Sequence, residues 1–257
     1  MNTYNMPNSE LKKTYFLSDA HLGIPNSEES LNREKHLVSF LNEIKQDAKE
    51  IYFLGDILDF WFEYKTVVPK GFTRLFGKIA ELADSGINIF YFTGNHDMWT
   101  FSYFEKELGV KVLRRPITIS FNSKKFMIGH GDGLGPGDNG YKWLKKFFSS
   151  KVCQKLFSFI HPGFGTGLAL YFSKKSRTAN GSTDEIFLGE EKERLIQFCK
   201  NILEKEHYDH FIFGHRHLPL DIKLSESSKY INTGDWVSHY SYAVFDGDKL
   251  ELKYYRG

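Results

Sequence analysis

Cysteine is scarce in this chain, which has only Cys153 and Cys199 among its 257 residues. Both lie in segments with a helical pattern, and neither has another Cys or a His paired closely with it as a zinc site requires. Small extracytoplasmic proteins commonly depend on several disulfides, whereas two cysteines can form at most one. The cysteine content therefore predicts a reduced, cytoplasmic setting.

Long apolar runs are missing as well. No stretch approaches the roughly 20 residues needed to span a bilayer, and residues 1–13 lack the apolar segment of a signal peptide. The net charge is only +2 at pH 7, so bulk electrostatics do not indicate a nucleic-acid partner. We expect a cytoplasmic protein that binds no nucleic acid and touches a membrane, if at all, with its surface.

Short apolar runs alternate with helical patterns along the chain, which predicts an α/β layered fold. Helical periodicity covers Ser30 to Lys49, Gly71 to Ser85 and Glu190 to Lys205, whereas the tail from Ile222 to Tyr255 alternates like antiparallel strands, with a turn at residues 232–236. The length suits one large domain or a domain with an insertion. We predict a single domain over residues 1–257.

Five short motifs made of metal-ligand residue types follow apolar runs. They are Asp19-Ala20-His21, Gly55-Asp56, Gly94-Asn95-His96-Asp97, Gly129-His130 and Gly214-His215-Arg216-His217. Because ligands collect beyond the carboxyl ends of strands in α/β sheets, these side chains can meet although they are distant in sequence. Gly214 permits a close turn before two His spaced i, i+2. The remaining His are interpreted as ordinary surface or core residues.

The donor types in these motifs suit two divalent cations. Carboxylate, imidazole and amide oxygen are ligands for ions such as Mn²⁺, and the absence of Cys argues against a structural zinc site. Asp56 is the predicted bridge, because one carboxylate can give an oxygen to each of two ions about 4 Å apart. Such a pair activates a water molecule near neutral pH and neutralises charge on a phosphoryl group.

His96 and Asp97 are the predicted catalytic residues. Asp97 is a carboxylate that can orient the ring of His96 toward the substrate, where the ring would stabilise the transition state or protonate the leaving oxygen. An alternative is that Asp97 caps the segment from Met98 to Leu108. The two interpretations are compatible.

Residues 137–181 have a different pattern, in which aromatic and apolar side chains alternate with Lys and Arg. This pattern predicts a helical insertion. One interpretation is a pair of helices whose apolar faces pack on each other. The other is a lid with an apolar inner face and a cationic rim, suited to a phosphorylated lipid or a membrane surface. Lys175, Ser176 and Arg177 are candidate substrate contacts by position.

Taken together, the five motifs resemble those of the calcineurin-like metallophosphoesterases, and all are intact between residues 19 and 217. The resemblance implies a four-layer α/β/β/α sandwich with a helical lid insertion and a dinuclear metal site. Matched motif by motif, one metal would be bound by Asp19, His21, Asp56 and His217. The other would be bound by Asp56, Asn95, His130 and His215.

The flanking residues are similar to the UDP-2,3-diacylglucosamine pyrophosphatase family of lipid A synthesis. The likeness rests on residues 54–61, 130–132, 175–177 and 234–236. It implies Mn²⁺-dependent cleavage of a nucleotide-linked lipid, UDP-2,3-diacylglucosamine, to UMP and 2,3-diacylglucosamine 1-phosphate at the inner membrane surface. Typical members have Arg at the position of His96, so the match is to a more divergent branch of that family.

Two other functions are compatible with the motifs. The first is a phosphoesterase for another phosphomonoester or phosphodiester, although a site for large polar substrates does not need so many apolar side chains in a lid. The second is a non-catalytic scaffold of the same fold. A scaffold would be expected to have lost ligands, whereas every predicted ligand and His96 are present in this chain.

Overall fold

The structure is a computed structural model that describes residues 12–180 and 186–257, without the side chains of residues 176–180. The strands are β1 (Lys13–Leu17), β2 (Ala48–Phe53), β3 (Asn88–Phe92), β4 (Lys111–Leu113), β5 (Ile117–Phe121), β6 (Lys124–Gly129), β7 (His210–Phe213), β8 (Pro219–Lys223), β9 (Lys229–Thr233), β10 (Ser241–Phe245) and β11 (Leu250–Tyr254). The helices are α1 (Ser27–Ile44), α2 (Thr73–Asp84), α3 (Tyr103–Leu108), α4 (Asn139–Phe148), α5 (Lys151–Phe157), α6 (Pro162–Asn180) and α7 (Arg194–Leu203).

The strands form two mixed sheets. The first has six strands in the order β11-β10-β1-β2-β3-β4, and the second has five in the order β5-β6-β7-β9-β8. Strands β1 to β4 are parallel, as are β6, β7 and β9. Parallel strands need crossover connections, and α1, α2 and α3 supply them in the first sheet. Chain segments that leave the parallel strands therefore emerge together at one edge of each sheet.

Three apolar clusters separate four layers. Helices α1 to α3 pack on the outer face of the first sheet, with Leu37 and Ile51 in that cluster. Phe16 and Ile212 belong to a second cluster between the two sheets. A third cluster, which includes Ile196, lies between the second sheet and α7. Two mixed sheets flanked by helices confirm the predicted α/β/β/α sandwich.

Strand β1 explains why the predicted strands appear as continuous apolar runs. Tyr15 and Leu17 contact the helical layer, and Phe16 between them contacts the cluster between the sheets. Because both faces of a central strand are covered, no polar alternation is required. Full burial of one such side chain contributes about 1.5–3 kcal/mol. The central strands thus hold both apolar layers together.

Helices α1 and α7 depart most from their predicted bounds. The side chain of Asn26 accepts the N–H groups of residues 28 and 29, which starts α1 at Ser27. The predicted extension of this helix to Lys49 is wrong, because β2 begins at Ala48, opposite Lys13 of β1. Toward the C-terminus, residues 190–192 form a separate 3-10 turn before α7.

The predicted turn at residues 232–236 begins later than expected. Asn232 and Thr233 are the last residues of β9, which pairs in parallel with β7. The antiparallel pattern predicted for the tail holds for β8 with β9 and for β10 with β11. Neighbours from elsewhere in the chain therefore extend β9 into the predicted turn.

Helices α4, α5 and α6 occupy the predicted insertion, whose limits at residues 137 and 181 stay a prediction. Many of its large apolar side chains are exposed, among them Trp143 (68%), Val152 (70%) and Phe159 (76%). Packing of a helix pair on itself therefore does not cover these side chains. Phe157 instead contacts Phe62 of the sandwich. None of the described helices is long and apolar enough to cross a membrane.

Glu63 caps α3 from a distant part of the chain. Its carboxylate accepts hydrogen bonds from the backbone N–H groups of residues 101–103, at 2.7, 2.6 and 3.0 Å. The N–H groups of Ser102 and Tyr103 are among those that a helix start leaves without a partner inside the helix. A negative charge is also favoured there by the helix dipole. Glu63 thereby joins the loop after β2 to the start of α3.

We predict that Glu63→Ala lowers the free energy of unfolding by about 2 kcal/mol, because several backbone donors lose a charged acceptor. Urea unfolding followed by circular dichroism measures this change. Glu107→Ala is the matched control, since Glu107 is an exposed residue of α3, the helix that Glu63 caps. A loss for Glu63→Ala no larger than that of the control would contradict the capping role.

Candidate metal centre

The predicted ligands meet at the edge where the parallel strands of both sheets end. Each follows a strand within a few residues: Asp19 and His21 follow β1, Asp56 follows β2, Asn95 follows β3, His130 follows β6, and His215 and His217 follow β7. The two sheets contribute to one cluster because the carboxyl ends of their parallel strands lie at the same end of the sandwich. The site is therefore assembled from loops that a rigid scaffold holds on both sides.

Five of these residues have a left-handed backbone conformation that is uncommon for residues other than Gly. The φ angles are 55° at Asp19, 42° at His21, 52° at Asp56, 68° at His215 and 55° at His217. Each such residue costs of order 1–3 kcal/mol, and such residues concentrate at functional sites. Backbone hydrogen bonds from Asp19 to Gly55 and from His21 to Asp56 hold the two loops in place.

Two Gly residues of the motifs are required by close contacts. A Cβ atom on Gly94 would lie 2.1 Å from Asp56 Oδ1. On Gly214 it would lie 2.4 Å from Ser18 Oγ and 2.7 Å from Asp19 Oδ2. At Gly214 the close contact is with the loop after β1, while the predicted close turn stays a prediction. Without side chains, these residues allow the ligand-bearing loops to approach one another.

The first group of candidate ligands consists of Asp19, His21 and His217. Asp19 Oδ1 lies 3.7 Å from His21 Nε2 and 3.4 Å from His217 Nε2, and the two nitrogens are 3.1 Å apart. Asp19 Oδ1 is buried and has no hydrogen-bond partner among the described residues. Ligand atoms of all three lie within 4.8 Å of one another. A cation fits this group, since it would satisfy the buried oxygen.

The second group consists of Asp56, His130 and His215. His130 Nε2 lies 3.3 Å from Asp56 Oδ2 and 3.3 Å from Asn95 Oδ1. Asp56 Oδ2 is also 4.0 Å from His21 Nε2, which belongs to the first group. Asp56 thus lies between the two groups, where a bridging carboxylate would have to be.

Two of the candidate His ligands are held in place by hydrogen bonds at Nδ1, the ring nitrogen that faces away from the cluster. His21 Nδ1 lies 3.1 Å from Asp59 Oδ1, and His130 Nδ1 lies 2.7 Å from the carbonyl oxygen of Leu54. Both neighbours are acceptors, so each Nδ1 donates, and the lone pair of a neutral ring is left on Nε2. Asp59 was included only within the family resemblance of residues 54–61 and was not assigned a role, although a second carboxylate three residues after Asp56 is a signal that could have indicated one.

Asp235 lies next to His217 as Asp59 lies next to His21. Asp235 Oδ2 is 3.6 Å from His217 Nδ1. Its other oxygen accepts N–H groups of residues 237–239, which holds the carboxylate still. Asp235 entered the sequence analysis only through the family resemblance of residues 234–236. Its contact with His217 depends on the turn between β9 and β10.

Charge in the second group strongly favours a cation. Burial opposes ionisation of Asp56, yet the imidazoles of His130 and His96 hold the pKa of this carboxyl well below its usual value. Burial likewise lowers the pKa of His130, but Asp56 outweighs it and raises the pKa to about 10. Burial and the neighbouring His130 lower the pKa of His215 to about 4. A divalent ion can supply the positive charge that a proton otherwise provides.

The pKa values in the first group also indicate that positive charge is favoured there. Burial lowers the pKa of His21, but the nearby carboxylates of Asp19 and Asp59 reverse the effect and raise the pKa to about 10. Burial raises the pKa of Asp19, and His217 together with His21 lowers it below its ordinary value. An ionised carboxylate beside two imidazoles is the donor set that borderline divalent cations prefer.

His96 lies beside the two groups. Its backbone N–H donates to Asp56 Oδ1 at 2.8 Å. Its ring Nδ1 lies 3.1 Å from the Asp59 carbonyl oxygen, 3.5 Å from Asp59 Oδ1 and 3.2 Å from Ser173 Oγ. Burial lowers the pKa of its imidazole. The carboxylate that contacts the His96 ring therefore belongs to Asp59, not to Asp97 as expected.

Asp97 is buried and directed into the protein. Its carboxylate accepts hydrogen bonds from the Tyr91 hydroxyl and from the N–H groups of Gly94, Ile57 and Leu58. The alternative that it caps the segment after it is also wrong, because Glu63 accepts the N–H groups there. Burial and the nearby Asp56 raise the pKa of Asp97 to about 6. Asp97 ties two ligand loops together, and a direct part in catalysis stays a prediction.

The predicted substrate contacts are at the end of α6. Lys175 is exposed there. The side chains of Ser176 and Arg177 lie outside the described residues, so their roles stay predictions. Ser173, two residues before Lys175, was not among the predicted site residues, and it contacts Asp59 and His96. No local pattern distinguishes this Ser from others in the insertion.

Comparisons with known proteins show which family this chain is similar to. A family model described as calcineurin-like phosphoesterase matches residues 12–219. UDP-2,3-diacylglucosamine hydrolase of Porphyromonas gingivalis is 39% identical over 253 residues, which cover 94% of this chain and 97% of the relative. The protein of the same name from Shewanella halifaxensis is 25% identical and covers 93% and 97%. The solved structure of Yfce, a phosphoesterase from E. coli, aligns with a TM-score of 0.46 at 14% identity, covering 93% of this chain and 90% of that one.

We predict that Asp56→Ala abolishes stoichiometric binding of Mn²⁺ at both groups, because the residue lies between them. Elemental analysis after gel filtration in Mn²⁺ would give about two ions per wild-type chain and fewer than one for the variant. Asp248→Ala, a change at an exposed carboxylate far from the site, is the matched control. Retention of the full metal content by Asp56→Ala would contradict the bridging role.

Proposed function

We propose that this chain, which belongs to the calcineurin-like phosphoesterase family, hydrolyses the pyrophosphate bond of UDP-2,3-diacylglucosamine. The products would be UMP and 2,3-diacylglucosamine 1-phosphate. The observation that carries the proposal is the near full-length similarity to the Porphyromonas gingivalis hydrolase of this lipid. The candidate metal centre supports the same chemistry, since its donors suit a phosphoryl group between two cations.

We assign the metal ligands by geometry and by motif. One ion would be held by Asp19, His21, Asp56 and His217. The other would be held by Asp56, Asn95, His130 and His215. The buried Asp19 oxygen without a partner supports the first assignment. Oxygen and nitrogen donors without sulfur support Mn²⁺ as the metal. When bound, the ions would supply a nucleophile from water and neutralise charge on the phosphoryl oxygens.

The protein's own groups orient the reaction. Asp59 and the Leu54 carbonyl hold the rings of His21 and His130 with Nε2 toward the cluster. We assign to His96 the stabilisation of charge at the attacked phosphorus or the transfer of a proton to the leaving oxygen. Its Nδ1 is engaged by Asp59, which leaves Nε2 for this task.

The insertion supports a lipid substrate. On α4, Trp143 and Phe147 stack with ring centroids 5.9 Å apart and are exposed, whereas Lys145 on the inner side binds Asp132. An exposed apolar surface of this kind marks an interaction site. We infer that it contacts acyl chains or the membrane surface, so that the protein acts in the cytoplasm as a peripheral protein of the inner membrane.

We predict that Trp143→Ala combined with Phe147→Ala weakens binding to phosphatidylglycerol vesicles at least tenfold, because each buried aromatic ring contributes about 2 kcal/mol. Co-sedimentation at several lipid concentrations measures the change. Tyr254→Ala, which alters an exposed aromatic residue of β11, is the control. Equal binding by the double variant and the wild type would contradict a contact between α4 and the membrane.

The proposed reaction is tested by UMP release from UDP-2,3-diacylglucosamine in Mn²⁺. We expect release that depends on the metal and falls at least a hundredfold in Asn95→Ala, because a metal ligand is removed. Asn201→Ala, at an exposed position of α7, is the matched control and should keep full activity. Hydrolysis of a chromogenic phosphodiester without any UMP release would support a phosphoesterase activity and contradict the proposed substrate.

A further inference from the structure

Helix α6 reaches the candidate metal centre through Ser173. This residue is buried, with 9% exposure, while its neighbours Phe172 and Lys174 are exposed. Its hydroxyl donates a hydrogen bond to Asp59 Oδ2 at 2.9 Å and lies 3.2 Å from His96 Nδ1. The contact joins the insertion to a loop that is 114 residues earlier in the sequence.

Hydrogen-bonding capacity decides which atom donates at each contact. A Ser hydroxyl has one hydrogen and two lone pairs. Since its hydrogen is directed to the carboxylate of Asp59, the oxygen of Ser173 is left to accept from His96 Nδ1. The Asp59 carbonyl oxygen, 3.1 Å from the same nitrogen, can also only accept. Both neighbours therefore require a hydrogen on His96 Nδ1 and place the lone pair of the neutral ring on Nε2.

The carboxylate of Asp59 links these groups to a candidate metal ligand. Its Oδ1 lies 3.1 Å from His21 Nδ1, and its Oδ2 accepts the hydrogen bond from Ser173. One buried carboxylate thus touches His21, the ring of His96 and helix α6. Of these three contacts, only that with α6 comes from the insertion.

We propose that Ser173 is a positioning residue, through which the seating of α6 on Asp59 sets the orientation and tautomer of the His96 ring. The inference rests on the proposed function, since it requires that His96 acts during metal-dependent hydrolysis at this site. A substrate that holds α6 in place then also orders His96. The insertion contributes to the rate of hydrolysis as well as to binding.

The test is a double-mutant cycle on kcat with the small chromogenic diester bis(p-nitrophenyl) phosphate in Mn²⁺. Ser173→Ala should lower kcat about tenfold, the effect of one hydrogen bond to an essential group. In a His96→Ala background the same change should alter kcat less than twofold, because the residue through which Ser173 acts is gone. KM and bound Mn²⁺ should not change.

Two further variants separate positioning from a general effect on the insertion. Ser173→Thr keeps the hydroxyl and should restore kcat to within about threefold of the wild type. Ser158→Ala makes the same chemical change at an exposed position of the insertion and should have no effect. Both variants, and Ser173→Ala, should retain the thermal midpoint of the wild type within a few degrees.

The outcomes are distinguishable from those of the substrate test. An equal loss of kcat from Ser173→Ala with and without His96, or a loss of bound Mn²⁺, would overturn the inference. Diester hydrolysis that follows the expected cycle, without UMP release from the lipid, would support Ser173 and overturn only the proposed substrate. Absence of metal-dependent hydrolysis of either compound would overturn both.

Discussion

The structure depends on the close approach of carboxylates and imidazoles from both sheets at one end of the sandwich. An apolar layer joins the sheets through most of their area, but at this edge polar contacts do so. The N–H of His215, from the second sheet, donates to Asp19 Oδ2 at 2.8 Å, and His130 reaches the Leu54 carbonyl of the first sheet. Buried charge of this density is stable only when opposite charge is close, so the fold and a bound cation support each other.

Around the candidate metal ligands lies a set of acidic groups that fix the direction of the ligand side chains. Asp59 and Asp235 orient ligand rings, and Asp97 ties the loops after β2 and β3 by accepting several backbone N–H groups. Metal affinity and reactivity depend on such neighbours because they select the ring tautomer and limit its movement. Backbone hydrogen bonds from Asp19 to Gly55 and from His21 to Asp56 hold the loops in which the ligand positions have a left-handed backbone.

The insertion has an apolar outer side and a polar inner side. Its outer side exposes aromatic residues, and its inner side contacts Asp132 and Asp59 near the metal centre through Lys145 and Ser173. The proposed substrate, with acyl chains at one end and a pyrophosphate at the other, matches this arrangement. The apolar part would be held outside the sandwich while the charged part enters the buried, polar edge.

The sequence by itself determined the layered fold, the five ligand motifs and the presence of a helical insertion. Each of these depends on local pattern: apolar runs covered on both faces, polar residues at strand ends, and helical periodicity. It did not determine where α1 ends or where β9 ends, because pairing with neighbouring strands decides both. Only the tertiary structure showed that Asp59, not Asp97, contacts His96 and that Ser173 joins them. Neighbouring residues can point in opposite directions, and the partner that each side chain meets is brought there by segments far away in the chain.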